Sequence, residues 1–207
     1  LSNAVHVASL HDFLYMRRIV PKSRVFMIPH SILFWQNETP VNLPECELRV
    51  CFLGRFEPDK GSAIANKAIK ILRRMGHYAC LIVVGGGYHP PEKHTFFTGF
   101  LNDGKKHFVI RKCDVGIIPS LSDPVEAFSM SLSEFNSLGI PVVASDVGAL
   151  RYRMKPWAGV LVKPRDPFKL VDGILLARRL KGKIKRLPDV LGLKQETLLW
   201  KKLLKRL

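Results

Sequence analysis

Two glutamates with seven residues between them, Glu126 and Glu134, mark the stretch where chemistry is most evident. At about 100° per residue, the residues between them predict a short helix with Phe128, Leu132 and Phe135 on one face. We expect Glu126 at or just before the first turn and Glu134 on the flank. Carboxylates at both ends can accept hydrogen bonds from hydroxyl groups, while free N–H groups of the first turn hold an anion. The combination suits a nucleotide-sugar, although ordinary surface glutamates on a helix give the same spacing.

A second group of candidate residues lies upstream, in Gly54-Arg-Phe-Glu-Pro-Asp-Lys-Gly61. The segment follows an apolar run and precedes a helical pattern. A strand, a glycine turn, two basic side chains and a helix start together form a phosphate-binding arrangement. Arg55 can donate two parallel hydrogen bonds, and Lys60 supplies a point charge. A solvated turn with ordinary surface charges is the alternative interpretation.

Apolar runs alternate with helical patterns along most of the chain. This alternation predicts an α/β fold with a Rossmann-like, doubly wound parallel sheet that is covered on both faces. The predicted strands are residues 48–53, 81–84, 94–98, 114–118, 141–145 and 159–162. The predicted helices are residues 62–75 with Ser62 as N-cap, 102–112, the helix between the two glutamates, and a helix that is capped by Asp166 and ends near residue 180.

The remaining segments flank this domain. A helix over residues 8–19 and a strand over residues 24–28 form a first unit, residues 1–32, and a linker over residues 33–47 leads to the domain at 48–190. Residues 191–207 predict a basic amphipathic helix with Leu199, Leu203, Leu204 and Leu207 on one side. We expect that side to pack on the rest of the fold, with membrane contact as the alternative.

Positive charge is concentrated in the last quarter of the chain. The protein has 207 residues and a net charge of +16, and residues 151–207 contain 17 Lys or Arg against 4 Asp or Glu. A basic face of this kind suits an anionic membrane surface, a polyphosphate substrate or nucleic acid. Nucleic acid is the weakest of the three, because no nucleic-acid motif and no interleaved aromatic residues accompany the charge.

The cysteine pattern and the absence of long apolar runs predict the cellular compartment of the protein. The four cysteines form no C-x-x-C pair, which predicts reduced, buried thiols. No apolar run approaches the ~18 residues that span a bilayer, and the opening residues lack the pattern of a secretory signal. We therefore expect a cytoplasmic protein, with peripheral membrane association as a further expectation.

Several ordered motifs resemble the donor signature of GT-B glycosyltransferases, and in particular the retaining glycosyltransferase family 4. Its most characteristic element is the pair of glutamates with seven residues between them. The resemblance covers roughly residues 20–180. The matching motifs are Gly54-Arg55-x4-Lys60-Gly61, Pro119-Ser120, Glu126-x-Phe128, Glu134, Gly139-x-Pro-Val-Val-Ala-Ser145 and Asp146-Val-Gly148.

This resemblance implies a role for each candidate residue. Arg55 and Lys60, next to Gly54, would hold the diphosphate of the donor and stabilise the leaving group. Glu126 would contact hydroxyls of the transferred sugar, and Glu134 would contact the ribose. The remaining implied donor contacts are the N–H groups around Ser129, Met130 and Ser131 for the phosphate, and the backbone near Gly99 for the base. The implied catalytic residues are Glu126, Arg55 and Lys60.

The implied activity is transfer of a hexose from a nucleoside diphosphate sugar to a hydroxyl of a glycan, lipid or protein, with retention. The chain contains no Asp-x-Asp motif, and the resemblance implies a reaction with no metal and no cofactor. Residues 24–32 resemble the end of the GT-B N-terminal domain, so we expect the rest of that domain to be missing and transfer by this chain alone to be poor. A non-catalytic Rossmann-like module with a basic face for membrane lipid or nucleic acid is the alternative.

This sequence also departs from the family pattern beside the glutamates. Ala127 and Ser129 stand where the family has glycines, and Ala149 and Tyr152 stand where it has glycine and glutamate. Arg151 and Arg153 add positive charge near the expected cleft.

Overall fold

A six-stranded parallel sheet forms the body of the protein. The computed structural model describes residues 4–32, 38–87, 92–185, 187 and 191–205. A separate two-stranded parallel pair lies in the first 32 residues. The pair consists of β1 (Val5–Val7) and β2 (Val25–Met27). The large sheet consists of β3 (Leu48–Leu53), β4 (Ala79–Val84), β5 (Thr95–Gly99), β6 (Val115–Ile118), β7 (Val142–Ser145) and β8 (Gly159–Val162).

Helices cover both faces of the large sheet, as the alternating pattern predicted. Helices α2 and α6 pack together on one face, and α3, α4 and α5 contribute to the core on the other. The helices in the described residues are α1 (Leu10–Met16), α2 (Ser62–Arg74), α3 (Asp103–Arg111), α4 (Met130–Ser137), α5 (Gly148–Arg153), α6 (Pro167–Arg178) and α7 (Leu193–Leu204). None of them is both long and apolar enough to cross a bilayer.

The strand order creates a crevice at the centre of the sheet. The order is β5-β4-β3-β6-β7-β8, and every neighbouring pair is parallel. If β3 is counted as the first strand, this is the doubly wound order 3-2-1-4-5-6. The direction in which successive strands are added to the sheet reverses between β3 and β6. Ligands of such sheets bind outside the carboxyl ends of the strands at the reversal point. The fold therefore predicts a site where β3 and β6 end.

The central strands are buried on both faces, which is why they are apolar without alternation. All six residues of β4 and all four of β6 and of β7 are buried. Close packing also fixes the position of α4, because a Cβ at Gly116 in β6 would lie 2.7 Å from the ring of Phe135. Helix α4 therefore sits directly on the strand that ends at the crevice.

Two helix starts differ from the sequence prediction. Helix α2 is capped by Gly61, in a left-handed conformation with φ +80°, and not by Ser62. Helix α4 begins at Met130, so Phe128 precedes the helix, and Glu126 lies four residues before it, on the outer side of the predicted range. A 3-10 turn at Asp123–Val125 and the left-handed Ser129 keep the intervening segment out of the helix.

The flanking segments also differ in detail. Helix α1 covers Leu10–Met16, a shorter range than the predicted 8–19, and residues 38–47 contain no helix or strand. In α7, Leu203 is buried but Leu204 is 66 % exposed, so Leu204 does not belong to the buried face. Leu207 lies outside the described residues.

The cysteine prediction was wrong for two of the four residues. Cys46 and Cys80 form a disulfide, with their Cα atoms 6.1 Å apart. Cys51 and Cys113 are free thiols, and both are buried. The spacing of cysteines along the chain gave no indication of this pairing, because it joins a residue of the segment before β3 to β4.

Candidate functional site

A cavity of about 410 Å³ lies at the crevice, outside the carboxyl ends of β3 and β6. It brings together most of the predicted site residues from segments that are far apart in the chain. The predicted residues in its lining are Gly54, Arg55, Lys60, Glu126, Ser129, Met130 and Ser131. Glu134 and Gly99 are not part of the lining.

An ion pair between Lys60 and the buried Glu126 lies in the lining of the cavity. Lys60 Nζ donates to Glu126 Oε1 at 2.7 Å and to the Val125 carbonyl oxygen at 3.0 Å. Ser120 Oγ donates to the same Oε1 at 2.6 Å. Glu126 is only 3 % exposed, and a buried carboxylate needs such partners to offset its lost hydration. The sequence motif pointed to Ser120 but gave it no role.

Gly61 brings Lys60 into this position. A Cβ at Gly61 would lie 2.0 Å from the carbonyl oxygen of Pro119, in the loop that follows β6. The same loop is tied to the turn before α2 by a hydrogen bond from Leu121 N–H to the Asp59 carbonyl, at 3.0 Å. The backbones are therefore in direct contact, and only a glycine fits between them.

Arg55 lies on the rim of the cavity. Its guanidinium forms ion pairs with Glu57 and, at 3.3 Å, with Asp59, both from its own loop. The side chain is 56 % exposed, and exposed pairs of this kind contribute little free energy. The guanidinium is therefore free to exchange these carboxylates for an anionic ligand at small cost.

The N-terminus of α4 supplies hydrogen-bond donors at the cavity wall. Ser129 has φ +61° and ψ 80°, a left-handed conformation that costs a non-glycine residue roughly 1–2 kcal/mol. No side chain caps the helix, so its first N–H groups remain available. Ser131 Oγ donates to the Leu53 carbonyl at 2.9 Å and ties this end of α4 to β3. The positive end of the helix dipole thus faces the cavity.

Helix α5, which the sequence did not predict, positions the backbone of Glu126. Ala149 N–H donates to the Glu126 carbonyl at 2.8 Å, and Gly148 N–H donates to Asp123 Oδ1 at 2.9 Å. A Cβ at Gly148 would lie 2.4 Å from the Glu126 carbonyl oxygen. The glycine of the Asp146-Val-Gly148 motif was the available signal for this contact.

Glu134 lies on α4 beyond the cavity lining and pairs with Lys106 of α3. The Lys106 Nζ is 3.0 Å from Glu134 Oε1 and 2.9 Å from Asp103 Oδ1. Burial alone would lower the pKa of Lys106, but the hydrogen bonds and charges of Asp103 and Glu134 outweigh it and raise the pKa. Gly99 ends β5 with φ +69°, and its carbonyl accepts a hydrogen bond from Gly85 N–H at 3.0 Å.

The cavity combines a cation, a buried carboxylate and the N-terminus of a helix. Cations and backbone N–H groups suit a phosphate group, and a carboxylate accepts hydrogen bonds from hydroxyl groups. In the described part of the chain, no three His, Cys, Asp or Glu side chains are grouped so that they could hold a metal ion. The protein atoms of the cavity thus suit a ligand that carries both phosphate and hydroxyl groups.

The family described as "Glycosyl transferases group 1" matches residues 34–187, which is more than half of the chain. The chain belongs to this family. Its fold is the Rossmann-like domain of GT-B glycosyltransferases. The match includes β3 to β8 and every cavity-lining residue except His30.

Similar curated proteins include a glycosyltransferase and a mannosyltransferase. The chain is 30 % identical over 147 residues to the uncharacterized glycosyltransferase MJ1607 of Methanocaldococcus jannaschii, covering 65 % of this chain and 36 % of that protein. It is also 30 % identical over 146 residues to the phosphatidyl-myo-inositol mannosyltransferase of Mycobacterium leprae, covering 66 % and 38 %. The chain thus spans just over a third of the length of these curated relatives.

Solved structures show the same fold. The sucrose-phosphate synthase of Thermosynechococcus elongatus superposes with a TM-score of 0.75 at 25 % identity, over 100 % of this chain and 58 % of that one. Anabaena Alr3699/HepE, solved in complex with UDP, has a TM-score of 0.74 at 15 % identity, over 100 % and 65 %.

Proposed function

We propose that the cavity binds a nucleoside diphosphate sugar, and that the chain is the donor-binding part of a retaining hexosyltransferase. The observation that carries this proposal is the convergence of Lys60, Glu126 and the uncapped start of α4 at the reversal point of the sheet. Similar proteins support it, because they include a mannosyltransferase and a protein solved in complex with UDP.

The charges of the cavity suit the leaving group of such a reaction. As the bond between the anomeric carbon and the phosphate oxygen breaks, negative charge develops on the diphosphate. Lys60, Arg55 and the N–H groups at the start of α4 would stabilise that charge, without requiring a metal ion or a cofactor. The departing phosphate oxygen could then accept the proton of the acceptor hydroxyl, whose oxygen bonds to the anomeric carbon on the same face.

The two glutamates have separate roles in this proposal. Glu126 would accept hydrogen bonds from hydroxyls of the hexose, since its carboxylate lies beside Lys60 in the cavity. Glu134 would accept hydrogen bonds from the ribose, further along α4. The acceptor would be a hydroxyl of a glycan, lipid or protein, and the mannosyltransferase relatives favour a lipid-linked acceptor.

Nucleotide titration tests the donor site. We expect UDP or GDP to bind saturably in calorimetry. Lys60→Met and Glu134→Ala should each weaken binding by on the order of tenfold, because each removes a charge-assisted hydrogen bond. Lys67→Met is the matched control, since Lys67 is an exposed lysine of α2 outside the cavity lining. Binding of neither nucleotide, or unchanged binding by both the Lys60→Met and the Glu134→Ala variant, would contradict the proposal.

We also propose peripheral association with an anionic membrane surface. Exposed basic residues of the last quarter, such as Lys163 and Arg179, lie in the same part of the chain as the exposed apolar side chains Trp157 and Phe168, which are 40 % and 65 % exposed. Such a mixture suits the interface of a bilayer. Sedimentation with anionic vesicles should deplete the protein from solution, and neutral vesicles should not. Equal sedimentation with both, or none, would contradict this association.

A further inference from the structure

Arg153 of α5 is buried beneath the start of α4, where the donor mechanism gives it no role. It is 4 % exposed. One nitrogen of its guanidinium donates to the carbonyl oxygens of Phe128 and, at 2.9 Å, of Ser129. The other terminal nitrogen donates to Ser133 Oγ at 2.7 Å, and the guanidinium carbon lies 3.8 Å from the centre of the Phe128 ring.

These contacts determine which way two consecutive peptide groups face. In a trans peptide the C=O and N–H bonds point in opposite directions. Arg153 holds the carbonyls of Phe128 and Ser129, so the N–H groups of Ser129 and Met130 point away from Arg153. Ser129 and Met130 line the cavity, whereas Arg153 is not part of its lining. A left-handed residue followed by a right-handed helix makes such N–H groups converge into a concave anion-binding nest.

The side chain of Ser129 adds a second sign that the nest is arranged for a ligand. Its Oγ is buried and has no hydrogen-bond partner among the described residues. A glycine would adopt φ +61° without steric cost, yet the chain has a serine there. The left-handed conformation of Ser129 therefore needs support from its surroundings, and the two carbonyl contacts of Arg153 provide it.

We propose that Arg153 is a positioning residue for the donor diphosphate. It holds Ser129 in the left-handed conformation and turns the N–H groups of Ser129 and Met130 toward the phosphates, and its own charge strengthens the positive field at that end of α4. The inference rests on the proposed function of the cavity as a nucleotide-sugar site. An arginine suits the role because its planar fork can bond two backbone carbonyls and a hydroxyl at once, which an ammonium group does poorly.

The experiment compares a nucleotide with the nucleoside that lacks its phosphates. Binding of UDP and uridine, or GDP and guanosine, is measured for the wild type, Arg153→Met and Arg153→Lys, with thermal unfolding recorded alongside. Arg151→Met is the matched control. It removes one positive charge from the same helix, where Arg151 is exposed and pairs with Asp146 at 2.8 Å.

We expect Arg153→Met to weaken nucleotide binding by on the order of tenfold and Arg153→Lys to weaken it less, while nucleoside binding stays within about twofold. A merely structural role would lower the affinities for the nucleotide and the nucleoside by the same factor, and that result would overturn the inference. Unchanged nucleotide binding by Arg153→Met would also overturn it. If Arg153→Met does not fold, Arg153→Lys decides, and wild-type nucleotide affinity in that variant overturns the inference. Absence of nucleotide binding by the wild type would instead refute the proposed function.

Discussion

Lys60 and Glu126 form one hydrogen-bonded pair. The sequence identified both as site residues, Lys60 for the diphosphate and Glu126 for the hydroxyls of the transferred sugar, but it did not predict a contact between them. The structure joins them at 2.7 Å across 66 positions of sequence. The pair orients the carboxylate and offsets the cost of its burial. A donor that enters the cavity must therefore compete with Glu126 for the ammonium group.

Removal of one partner should cost more stability than removal of both. Among the described residues, Lys60→Met leaves the buried carboxylate of Glu126 with Ser120 as its one side-chain donor. We expect a loss of about 2–3 kcal/mol in the free energy of unfolding. Glu126→Gln in the Lys60→Met background should restore at least half of that loss, because a neutral amide needs less compensation. Urea denaturation of the wild type, both single variants and the double variant measures the coupling. Additive losses in the double variant would mean that the pair is not coupled.

At the scale of elements, the site depends on where helices begin. The glycine-containing motifs correctly marked the turns, but local patterns could not show what each turn contacts. Ser62 looked like the N-cap of α2 because serine is a frequent cap. The structure uses Gly61, since the adjacent Pro119 backbone leaves no room for a side chain at that position.

Substitution of Gly61 tests this contact against a control with the same backbone requirement. Gly61→Ala combines φ +80° with a Cβ 2.0 Å from the Pro119 carbonyl oxygen, whereas Gly76→Ala has φ +90° and no atom within 4 Å. We expect Gly76→Ala to cost about 1–2 kcal/mol from the left-handed conformation alone. Gly61→Ala should cost at least about 2 kcal/mol more and weaken nucleotide binding, because Lys60 is displaced. Equal losses in thermal or chemical unfolding would show that the loop relaxes around the added methyl group.

The fold was more predictable than the site, for a physical reason. Burial on both faces gives the central strands continuous apolar runs, and the alternation of such runs with helices correctly predicted the parallel sheet. The bounds of β3 and of the edge strand β8 were also predicted correctly. Helix α5 was missed because its six residues begin with glycine and form less than two helical turns. Its contacts with Glu126 and with the start of α4 are formed only in the folded chain, so Arg153 could be noted as a nearby charge but not as a buried group.

At the scale of the whole molecule, α7 joins the end of the described chain to its first segment. Ser31 N–H donates to Glu196 Oε2 at 2.9 Å, and Ser31 forms a bridge with Leu191. The Trp200 ring lies 4.6 Å from the ring of His6, and its Nε1 is 3.4 Å from Glu196 Oε1. The predicted packing of the C-terminal helix onto the fold is thus present. These polar contacts around one carboxylate hold together two segments that are about 165 positions apart.

This connection should weaken in acid. Hydrogen bonds from Ser31 lower the pKa of Glu196 below its ordinary value of 4.5, although burial acts in the opposite direction. A carboxyl group with a lowered pKa in the folded state contributes stability that is fully present above pH 4.5. That contribution is lost as the pH falls through the lower, folded-state value. The difference in the free energy of unfolding between the wild type and Glu196→Gln should therefore become smaller as the pH falls from neutral to about pH 3.

Both the size of the Glu196 contribution to stability and its location in the fold can be measured. At pH 7, Glu196→Gln should reduce the free energy of unfolding by about 1 kcal/mol and increase hydrogen exchange in residues 193–205, because the charge-assisted bond to Ser31 is weakened. Toward pH 3 the difference between variant and wild type should become smaller, whereas Glu45→Gln, at an exposed glutamate, should leave stability nearly unchanged at both pH values. A difference at pH 7 that persists undiminished at pH 3 would show that Glu196 stabilises α7 by packing rather than by its charge. The attachment of α7 would then depend on the contact between Trp200 and His6 instead of on the carboxylate.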